Sequence, residues 1–333
     1  MALVARGDDV DVVAIGEVER DSLFRVASIT KTVTAAAVLL LVEDGAVALD
    51  DPIARFLPEL AAPVVVRAPE SDPGDVVPIA RPILVEDILT FLAGWGFPSD
   101  FSLPAVQLLS SEVMAWGRPE PFASSQEWVD GLARVPLLRQ PGEAWLYNTC
   151  SDLQGVLIER ASGGTLADFL AERVFVPLGM TDTAFFVPEA KRARLAPVHT
   201  ADGGPGHDDV PYAEPGFASG AGGLVSTADD WLRFGRMLLA DGGGLLSPES
   251  VRRMTSNHIS RAQSDEAAIF LEGEGWGYGG SVRADGRFGW VGGSGTTAHI
   301  LPASGTVAIL LTQVPMTGPT PTPLMRDFWA AAT

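Results

Sequence analysis

A serine and a lysine lie three residues apart at the start of a long apolar stretch, in the run Ser28-Ile29-Thr30-Lys31. The composition predicts one helix that begins at Ser28 and ends at Gly45, because glycine tolerates the left-handed conformation that follows a helix. Residues at positions i and i+3 share a helix face, so this hydroxyl and this amine can meet. The positive end of the helix dipole also favours developing negative charge. The pattern therefore predicts a nucleophilic serine beside an amine.

The same two residues also have an ordinary explanation. Serine is a preferred N-cap residue, and lysine is common on helices. The stretch after Lys31 is apolar on every side, however, which is typical of a buried helix. A lysine at the buried end of such a helix needs a partner or a lowered pKa, and either would favour chemistry. Because the pattern S-x-x-K is short, these four residues alone leave both explanations open.

A tyrosine follows a turn and precedes a predicted helix in the run Tyr147-Asn148-Thr149. A nearby ammonium group would favour the phenolate, so we expect the pKa of Tyr147 to lie below the usual value of about 10. A serine, a lysine and a tyrosine together can carry out base-assisted acyl transfer without histidine. The alternative is a packed tyrosine ring whose hydroxyl group is hydrogen bonded.

Glycines interrupt the predicted strand at residues 288–297, which contains Trp290, Gly292 and Gly293. Glycine inside a strand weakens it unless another backbone or a ligand comes close, so we predict an edge beside a cleft. Backbone N–H groups on such an edge can serve as half of an oxyanion hole. A β-bulge is the alternative interpretation.

The histidines do not form a competing triad. His199 and His207 lie in or beside a predicted loop at residues 198–218, while His258 and His299 have no G-x-S-x-G partner. The spacing H-E-x-x-H is absent, and neither cysteine nor histidine spacing suggests a metal site. We therefore expect no metal and no cofactor. A lone Cys150 excludes an intrachain disulfide.

Composition limits the possible partners and compartments. The chain has 333 residues, of which 47% are hydrophobic, and can bury a large core. The net charge of −19 argues against nucleic acid or an anionic membrane as a partner. No apolar run reaches the length of a transmembrane helix, and the first residues do not form a signal peptide. We expect a cytoplasmic protein, although a trimmed secreted chain would look the same.

Short strands are predicted near both ends of the chain. Asp285-Gly286 lies between two further strand candidates and is a strong hairpin signal. Consecutive strands with tight turns are typical of an antiparallel sheet. The strands that support this prediction are at residues 2–6, 10–16, 296–301 and 306–312.

Helical patterns dominate the middle of the chain, at residues 85–92, 104–116, 125–134, 151–161 and 165–173. The sum predicts an α+β fold, in which an antiparallel sheet from N- and C-terminal strands is flanked by helices around a large, mostly helical middle section. We expect one unit over residues 1–333. Its sheet part comprises 1–50 and 215–333, and its helical part comprises 51–214.

Taken in order, the three motifs resemble those of the serine β-lactamase and penicillin-binding-protein superfamily. They are Ser28-x-x-Lys31, Tyr147-Asn148-Thr149 and Trp290-Val291-Gly292. Within the superfamily, the chain is similar to the class C β-lactamase-related hydrolases, including the family VIII carboxylesterases. The resemblance extends well beyond the motifs, to residues 24–52, 81–96, 136–155, 220–230 and 288–313, which are spread over most of the chain. It implies the fold of that superfamily and a single catalytic unit.

The resemblance also implies roles for the residues. Ser28 would be the nucleophile, Lys31 would lower its proton affinity and shuttle protons, and Tyr147 would be the general base or acid. The oxyanion hole would comprise the backbone N–H groups of Ser28 and Gly293. Further candidates for substrate binding are Trp290, Gly292, Asn148, Thr149 and Trp95. Trp95 would belong to an aromatic cleft wall, although core packing explains such residues equally well.

Two departures from the family pattern bear on the substrate. The second motif of class C β-lactamases is Tyr-x-Asn, whereas Thr149 occupies its third position here. Their third motif begins with a lysine that can pair with the carboxylate of the drug, which Trp290 cannot do. The loss of such a partner weakens binding of an anion by about 1.5 to 3 kcal/mol. We therefore predict a serine hydrolase that acts as a carboxylesterase on small uncharged esters.

Three other functions are compatible with the same residues. The protein could be a β-lactamase or a D-amino-acid peptidase, or it could be an acyltransferase that uses an alcohol or amine acceptor. In a different class, it could be a catalytically silent binding protein that keeps the pocket. The expected partner is a small-molecule ester or amide, and the sequence does not indicate an oligomeric state.

Overall fold

The structure is a computed structural model, which describes residues 1–114, 122–200, 202–206, 210–211 and 213–332. Its strands are mostly short, and the longest lie near the ends of the chain. The strands of the described residues are β1 (Ala2–Arg6), β2 (Asp9–Val13), β3 (Phe24–Arg25), β4 (Val64–Val66), β5 (Val76–Pro78), β6 (Val225–Ser226), β7 (Gly275–Trp276), β8 (Ser281–Val282), β9 (Phe288–Gly292), β10 (Thr296–Leu301) and β11 (Thr306–Leu311).

Seven of these strands form the main sheet, in the order β2-β1-β11-β10-β9-β8-β7. All neighbouring pairs are antiparallel. The N-terminal β1 pairs with the C-terminal β11 in a register that places Leu3 opposite Ile309, and both side chains are fully buried. The predicted antiparallel sheet from N- and C-terminal strands is therefore confirmed.

Helices are the main regular structure in the middle of the chain, and others flank the sheet. They are α1 (Thr30–Glu43), α2 (Val85–Leu89), α3 (Pro104–Val113), α4 (Ser125–Leu132), α5 (Thr149–Ser162), α6 (Leu166–Leu170), α7 (Val176–Leu178), α8 (Ala228–Leu239), α9 (Pro248–Met254), α10 (Arg261–Glu266), α11 (Ala268–Leu271) and α12 (Pro323–Ala332). A π-helical turn, Ala171–Phe175, joins α6 to α7. In the described ranges, no helix has the length and apolar character needed to cross a bilayer.

Helix α1 lies at the centre of the molecule. All of its residues from Thr30 to Leu41 are buried, as the apolar composition on every side predicts. It packs against α5, and Gly45 follows it with φ of +71°. The α-helix begins at Thr30 rather than at Ser28, because residues Ala27–Ile29 form a separate 3-10 turn. Ser28 therefore lies two residues before the helix.

Two small sheets complete the fold. Strand β3 pairs with β6, which brings the chain before α1 beside the segment that follows residue 220. Strands β4 and β5 form a hairpin where the sequence indicated only irregular structure, at residues 57–82. The hairpin has two three-residue strands and ends at Pro78, so it is too short to produce a clear alternating pattern. The division of the chain at residues 50 and 215 stays a prediction.

Candidate active site

Ser28 lies in the 3-10 turn Ala27–Ile29, between β3 and α1, and its side chain is partly exposed. The turn has an unusual backbone, because Ala27 has φ of +47°. A residue with a Cβ atom seldom adopts this left-handed conformation, and the surrounding structure must hold it in place. Strained backbone of this kind concentrates at functional sites.

Strand β9 holds this turn from one side, at Gly292. A Cβ atom on Gly292 would lie 2.4 Å from the carbonyl oxygen of Val26 and 2.3 Å from Oγ1 of Thr296, so only glycine permits the approach. Oγ1 of Thr296 donates a hydrogen bond of 2.8 Å to the same Val26 oxygen. The glycine in this strand is therefore required by the close packing of another backbone.

The cleft side of β9 is open beyond its first two residues. Strand β8 pairs only with Phe288 and Gly289, whereas β10 pairs with β9 in continuous register. The alternative of a β-bulge is thus not found within Phe288–Gly292. The predicted edge runs from Trp290 toward Gly293, which is exposed and has open space where a Cβ atom would lie.

Lys31 is fully buried in the first turn of α1. Its Nζ donates hydrogen bonds to Oγ of Ser28 at 3.1 Å, to Oδ1 of Asn148 at 2.9 Å and to the carbonyl oxygen of Ala221 at 2.5 Å. An ammonium group has three donors, and each of them has an acceptor here. The amine is therefore fixed against the Ser28 hydroxyl by contacts from two other segments of the chain.

The surroundings of Lys31 lower the pKa of its amine, so the neutral form becomes accessible. Burial lowers the pKa of Lys31 to about 7, because the charged form loses its hydration. The carboxylate of Asp152 opposes this effect, since a nearby negative charge favours the ammonium. Near neutral pH, both protonation states of Lys31 are accessible.

Tyr147 is held by backbone and side-chain contacts directly above Lys31. Its backbone N–H donates to the carbonyl oxygen of Phe97 at 3.0 Å, and its own carbonyl oxygen accepts from Phe97 at 2.9 Å. The Nζ of Lys31 lies 4.8 Å from the centre of the tyrosine ring. The hydroxyl group is hydrogen bonded to Ser28 and accepts a hydrogen bond of 2.9 Å from Nε1 of Trp290. Ser28, Lys31 and Tyr147 thus meet at one point.

The predicted lowering of the Tyr147 pKa is wrong. Burial raises the pKa of Tyr147 above its ordinary value, and hydrogen bonds with Ser28 and Trp290 offset this only in part. The physical reason lies in the geometry of Lys31. Its amine lies over the face of the ring and donates to other acceptors, so it does not stabilise a phenolate oxygen directly.

The two residues after Tyr147 have different surroundings. Asn148 has φ of +82° and ψ of −65°, and its amide group binds Lys31 rather than capping α5. Nδ2 of the same amide lies 3.9 Å from Sδ of Met114. Thr149 is only 1% exposed, so the structure does not bring its side chain to the cleft surface. Asn148 therefore belongs to the cluster around Lys31, while Thr149 packs inside.

By the resemblance, Trp290 corresponds to the lysine that begins the third motif of class C β-lactamases. Its indole is 4% exposed, and it crosses the ring of Trp276 edge to face with a centroid distance of 4.8 Å. Its single N–H group donates to the hydroxyl oxygen of Tyr147. The residue thus supplies a neutral hydrogen-bond donor at this position.

The other aromatic residue predicted to line the cleft, Trp95, belongs to the hydrophobic core instead. Trp95 is 1% exposed and donates from Nε1 to the carbonyl oxygen of Val135 at 2.9 Å, so the structure does not bring it to the cleft. The aromatic residue that is exposed near Tyr147 is Phe101, whose ring packs on Phe270, and Phe270 stacks on Tyr147 with a centroid distance of 4.6 Å. Sequence reasoning did not single out Phe101, because nothing in the sequence distinguishes it from a core phenylalanine.

Sequence reasoning also missed three residues behind Lys31. Oδ1 of Asp152 accepts hydrogen bonds from Oγ of Ser219 at 2.7 Å and from the backbone N–H of Ala221 at 3.0 Å. A signal for Asp152 was present, because the helix predicted at residues 151–161 places this acidic residue in its first turn, where the helix dipole favours negative charge. Ser219 and Ala221 had no signal, since their role depends on a tertiary contact.

The described histidines all have partners away from this cluster. His299 is buried beneath Trp329 and is hydrogen bonded to Thr297, and burial holds its pKa well below the usual value. His258 stacks on Tyr278 with a centroid distance of 4.4 Å. His199 lies near Gln313. His207 and part of the predicted loop at 198–218 lie outside the described residues.

The sequence of this chain is similar to those of known proteins over most of its length. A family model described as Beta-lactamase matches residues 1–325. Protein Rv1367c of Mycobacterium tuberculosis is 36% identical over 333 residues, which cover 91% of this chain and 80% of that protein. Lovastatin esterase of Penicillium rubens is 33% identical over 263 residues, which cover 75% of this chain and 63% of the esterase.

A solved structure has a similar fold over the whole chain. It is described as "EstCE1, a hydrolase with promiscuous acyltransferase activity", and it superposes with a TM-score of 0.81 at 21% identity. The match covers 100% of this chain and 93% of that one. The predicted fold class is thus confirmed by an independent structure.

Proposed function

This chain belongs to the β-lactamase family of serine hydrolases, and we propose that it is a carboxylesterase that acts on small uncharged esters through an acyl-enzyme at Ser28. The observation that carries the proposal is the contact of the Ser28 hydroxyl with both Lys31 and Tyr147. The similarity to a protein named lovastatin esterase supports the class of reaction.

In the acylation step, the Ser28 oxygen attacks the ester carbonyl carbon while its proton passes to the neutral amine of Lys31. The Nζ–Oγ distance of 3.1 Å permits direct transfer. Tyr147 stays protonated because its pKa is raised, and it can donate its proton to the departing alkoxide. The proton that Lys31 took from Ser28 then restores the phenol through a water molecule, because the amine lies over the ring and not at its oxygen. The products of the step are an alcohol and an ester of Ser28.

The carbonyl oxygen of the substrate becomes negative in this step and needs donors. The backbone N–H groups of Ser28 and Gly293 are the proposed donors, and Gly293 is exposed at the open end of β9. Donors already fixed in place favour the charged transition state over the neutral ester. Water then attacks the acyl-enzyme with the same groups in reverse order, which releases the acid and restores Ser28.

The preference for uncharged substrates follows from Trp290. This indole contributes one neutral donor, which is already used by Tyr147. Lys31 is buried and has three acceptors of its own, so it does not offer a free charge to a substrate carboxylate. An anionic substrate would therefore lose hydration at this position without gaining an ion pair.

The test is turnover of short-chain p-nitrophenyl esters by the purified chain and by Ser28→Ala. We expect the substitution to lower kcat by roughly 10³-fold or more, because it removes the nucleophile. Ser304→Ala is a matched control, since Ser304 also lies in a 3-10 turn, which joins β10 to β11, and is exposed. Unchanged turnover in Ser28→Ala would refute the proposal.

The same acyl-enzyme could transfer its acyl group to an alcohol instead of water. Measuring the ratio of acid to new ester in the presence of a primary alcohol separates the two outcomes. Acid as the main product at low alcohol concentration supports hydrolysis, whereas ester as the main product identifies an acyltransferase.

A further inference from the structure

We propose that Asp152 is a positioning residue for Lys31: its carboxylate supplies the negative charge near the buried amine and fixes the peptide segment that binds that amine. The inference rests on the proposed function, because it concerns the proton that Lys31 takes from Ser28. It adds a carboxylate to the cluster of Ser28, Lys31, Tyr147 and Asn148.

The contacts of Asp152 lead directly to Lys31. Asp152 is 6% exposed and lies in the first turn of α5. Its Oδ1 accepts from the N–H of Ala221, and the carbonyl oxygen of the same residue accepts from Nζ of Lys31. Ser219 donates a second hydrogen bond to Oδ1 from Oγ. One short segment, residues 219–221, is therefore held by the carboxylate on one side and binds the amine on the other.

The charged groups around α1 leave Asp152 as the counter-charge of Lys31. Within the described residues, α5 contributes Asp152, and the turn before α5 contributes Tyr147, whose ring faces the amine. Charged groups that flank the other end of α1 are paired there, since Asp44 binds Arg173 and Glu43 accepts from Ser250.

This arrangement sets how readily Lys31 holds a proton. Burial favours the neutral amine, and the carboxylate favours the ammonium, so the two effects oppose each other. Without the negative charge, burial would act alone and the amine would stay neutral at lower pH. It would then accept the Ser28 proton less readily, because a less basic amine stabilises the transferred proton less.

The test is the pH dependence of Ser28 acylation in Asp152→Asn, which removes the charge and keeps the size of the side chain. We expect the acidic limb of the pH–rate profile to move to lower pH by about one unit or more, with a lower rate on the plateau. Asp230→Asn is the matched control, because Asp230 is also a buried carboxylate. It accepts hydrogen bonds from the backbone N–H group of Asp182 and the hydroxyl group of Thr183, away from Lys31. An acidic limb that does not move in a folded Asp152→Asn protein would overturn the proposal.

A second variant covers the case in which Asp152→Asn does not fold. Burial raises the pKa of Asp152, and the hydrogen bond from Ser219 partly offsets this. Ser219→Ala removes that hydrogen bond, so Asp152 is ionised less readily, and we expect the limb to move in the same direction by a smaller amount. No movement in that variant would overturn the proposal as well. If the wild-type chain forms no acyl adduct at Ser28, the proposed function itself fails. If the wild-type chain acylates normally and the acidic limb moves in neither variant, only the role of Asp152 fails.

Discussion

The amine of Lys31 combines full burial with three hydrogen bonds, and its pKa of about 7 places its titration in the physiological range. Only the neutral amine can accept the Ser28 proton, so the ammonium form is inactive as a base. We expect the acylation rate to rise as pH increases through about 7 and then to level off. Tyr147 does not titrate in this interval, because its pKa is raised above the ordinary tyrosine value.

Stopped-flow acylation by a neutral ester between pH 5 and 9 tests this dependence. Correction for the uncatalysed reaction at each pH is the necessary control. A rate that is constant across the interval would contradict the role of Lys31 as the base.

A second test concerns the hydrogen bond that Nε1 of Trp290 donates to the Tyr147 hydroxyl group. Trp290→Phe removes the N–H group that donates to the Tyr147 hydroxyl and keeps an aromatic ring. We expect kcat to fall by roughly 2- to 10-fold, which corresponds to one hydrogen bond of about 0.5 to 1.5 kcal/mol. KM should change little, because the contact orients Tyr147 rather than the substrate. Steady-state kinetics with one neutral ester measure both constants.

The chain contains a control for the loss of indole. Trp276 is fully buried beside Trp290, and its Nε1 has no hydrogen-bond partner among the described residues. Trp276→Phe should therefore leave kcat much closer to wild type. An equal loss in both variants would indicate that packing, and not the hydrogen bond to Tyr147, explains the effect.

The residues that react were predictable from sequence, whereas those that hold them were only partly so. Ser28, Lys31 and Tyr147 could be proposed because their types and order carry the family pattern. The raised pKa of Tyr147 could not, since it is caused by burial of the hydroxyl group, which depends on the tertiary structure. Asp152 had a signal as an acidic residue in the first turn of a helix, but the bridging segment at Ala221 is visible only in three dimensions.

At the scale of elements, the site depends on the contact of β9 with the Ser28 turn. Gly292→Ala would place a methyl group 2.4 Å from the Val26 oxygen, so β9 and the turn must separate. We expect the free energy of unfolding to fall by about 1 to 3 kcal/mol, as for an overpacked core, together with a loss of acylation. Denaturant unfolding and acylation of the same samples measure the two effects.

The next residue gives the comparison for that substitution. A Cβ atom at Gly293 would meet open space, so Gly293→Ala should keep wild-type stability and its backbone N–H group. If the two alanine variants unfold at the same denaturant concentration, the close packing of β9 on the Ser28 turn does not determine stability.

Element prediction succeeded where the pattern was long and failed where it was short. The apolar run of α1 predicted a buried helix, and Thr30–Leu41 is buried. The start of the helix was misplaced, because the strained Ala27 makes Ser28 part of a 3-10 turn. The β4–β5 hairpin was missed, since each strand has only three residues.

At the scale of the whole molecule, the net charge of the chain and the neutral indole in the site both disfavour an anionic substrate. The chain carries a net charge of −19, and the position beside Tyr147 is occupied by a neutral indole. We expect kcat/KM for a neutral acyl ester to exceed that for a hemisuccinate ester with the same leaving group. The difference should shrink as salt is added, because screening weakens the repulsion of an anion.

Nitrocefin extends this comparison to an anionic β-lactam. Turnover of nitrocefin as fast as that of neutral esters would contradict the preference for uncharged substrates. The neutral ester measured at each salt concentration is the control, since its rate should respond little to screening.

The architecture as a whole followed from strand positions. Predicted strands at both ends of the chain required one sheet that joins them, and β1 does pair with β11. The glycines at residues 288–297 also predicted a strand edge beside the site, and β8 pairs with β9 only as far as Gly289.

The most direct test of an acyl-enzyme at Ser28 is the intact mass of the protein after brief exposure to an activated neutral ester, with acid quenching and peptide mapping. We expect a mass increase of one acyl group on the peptide that contains Ser28, and none in Ser28→Ala. Ester turnover with no adduct at any quench time, or an adduct on another residue that persists in Ser28→Ala, would contradict the assignment.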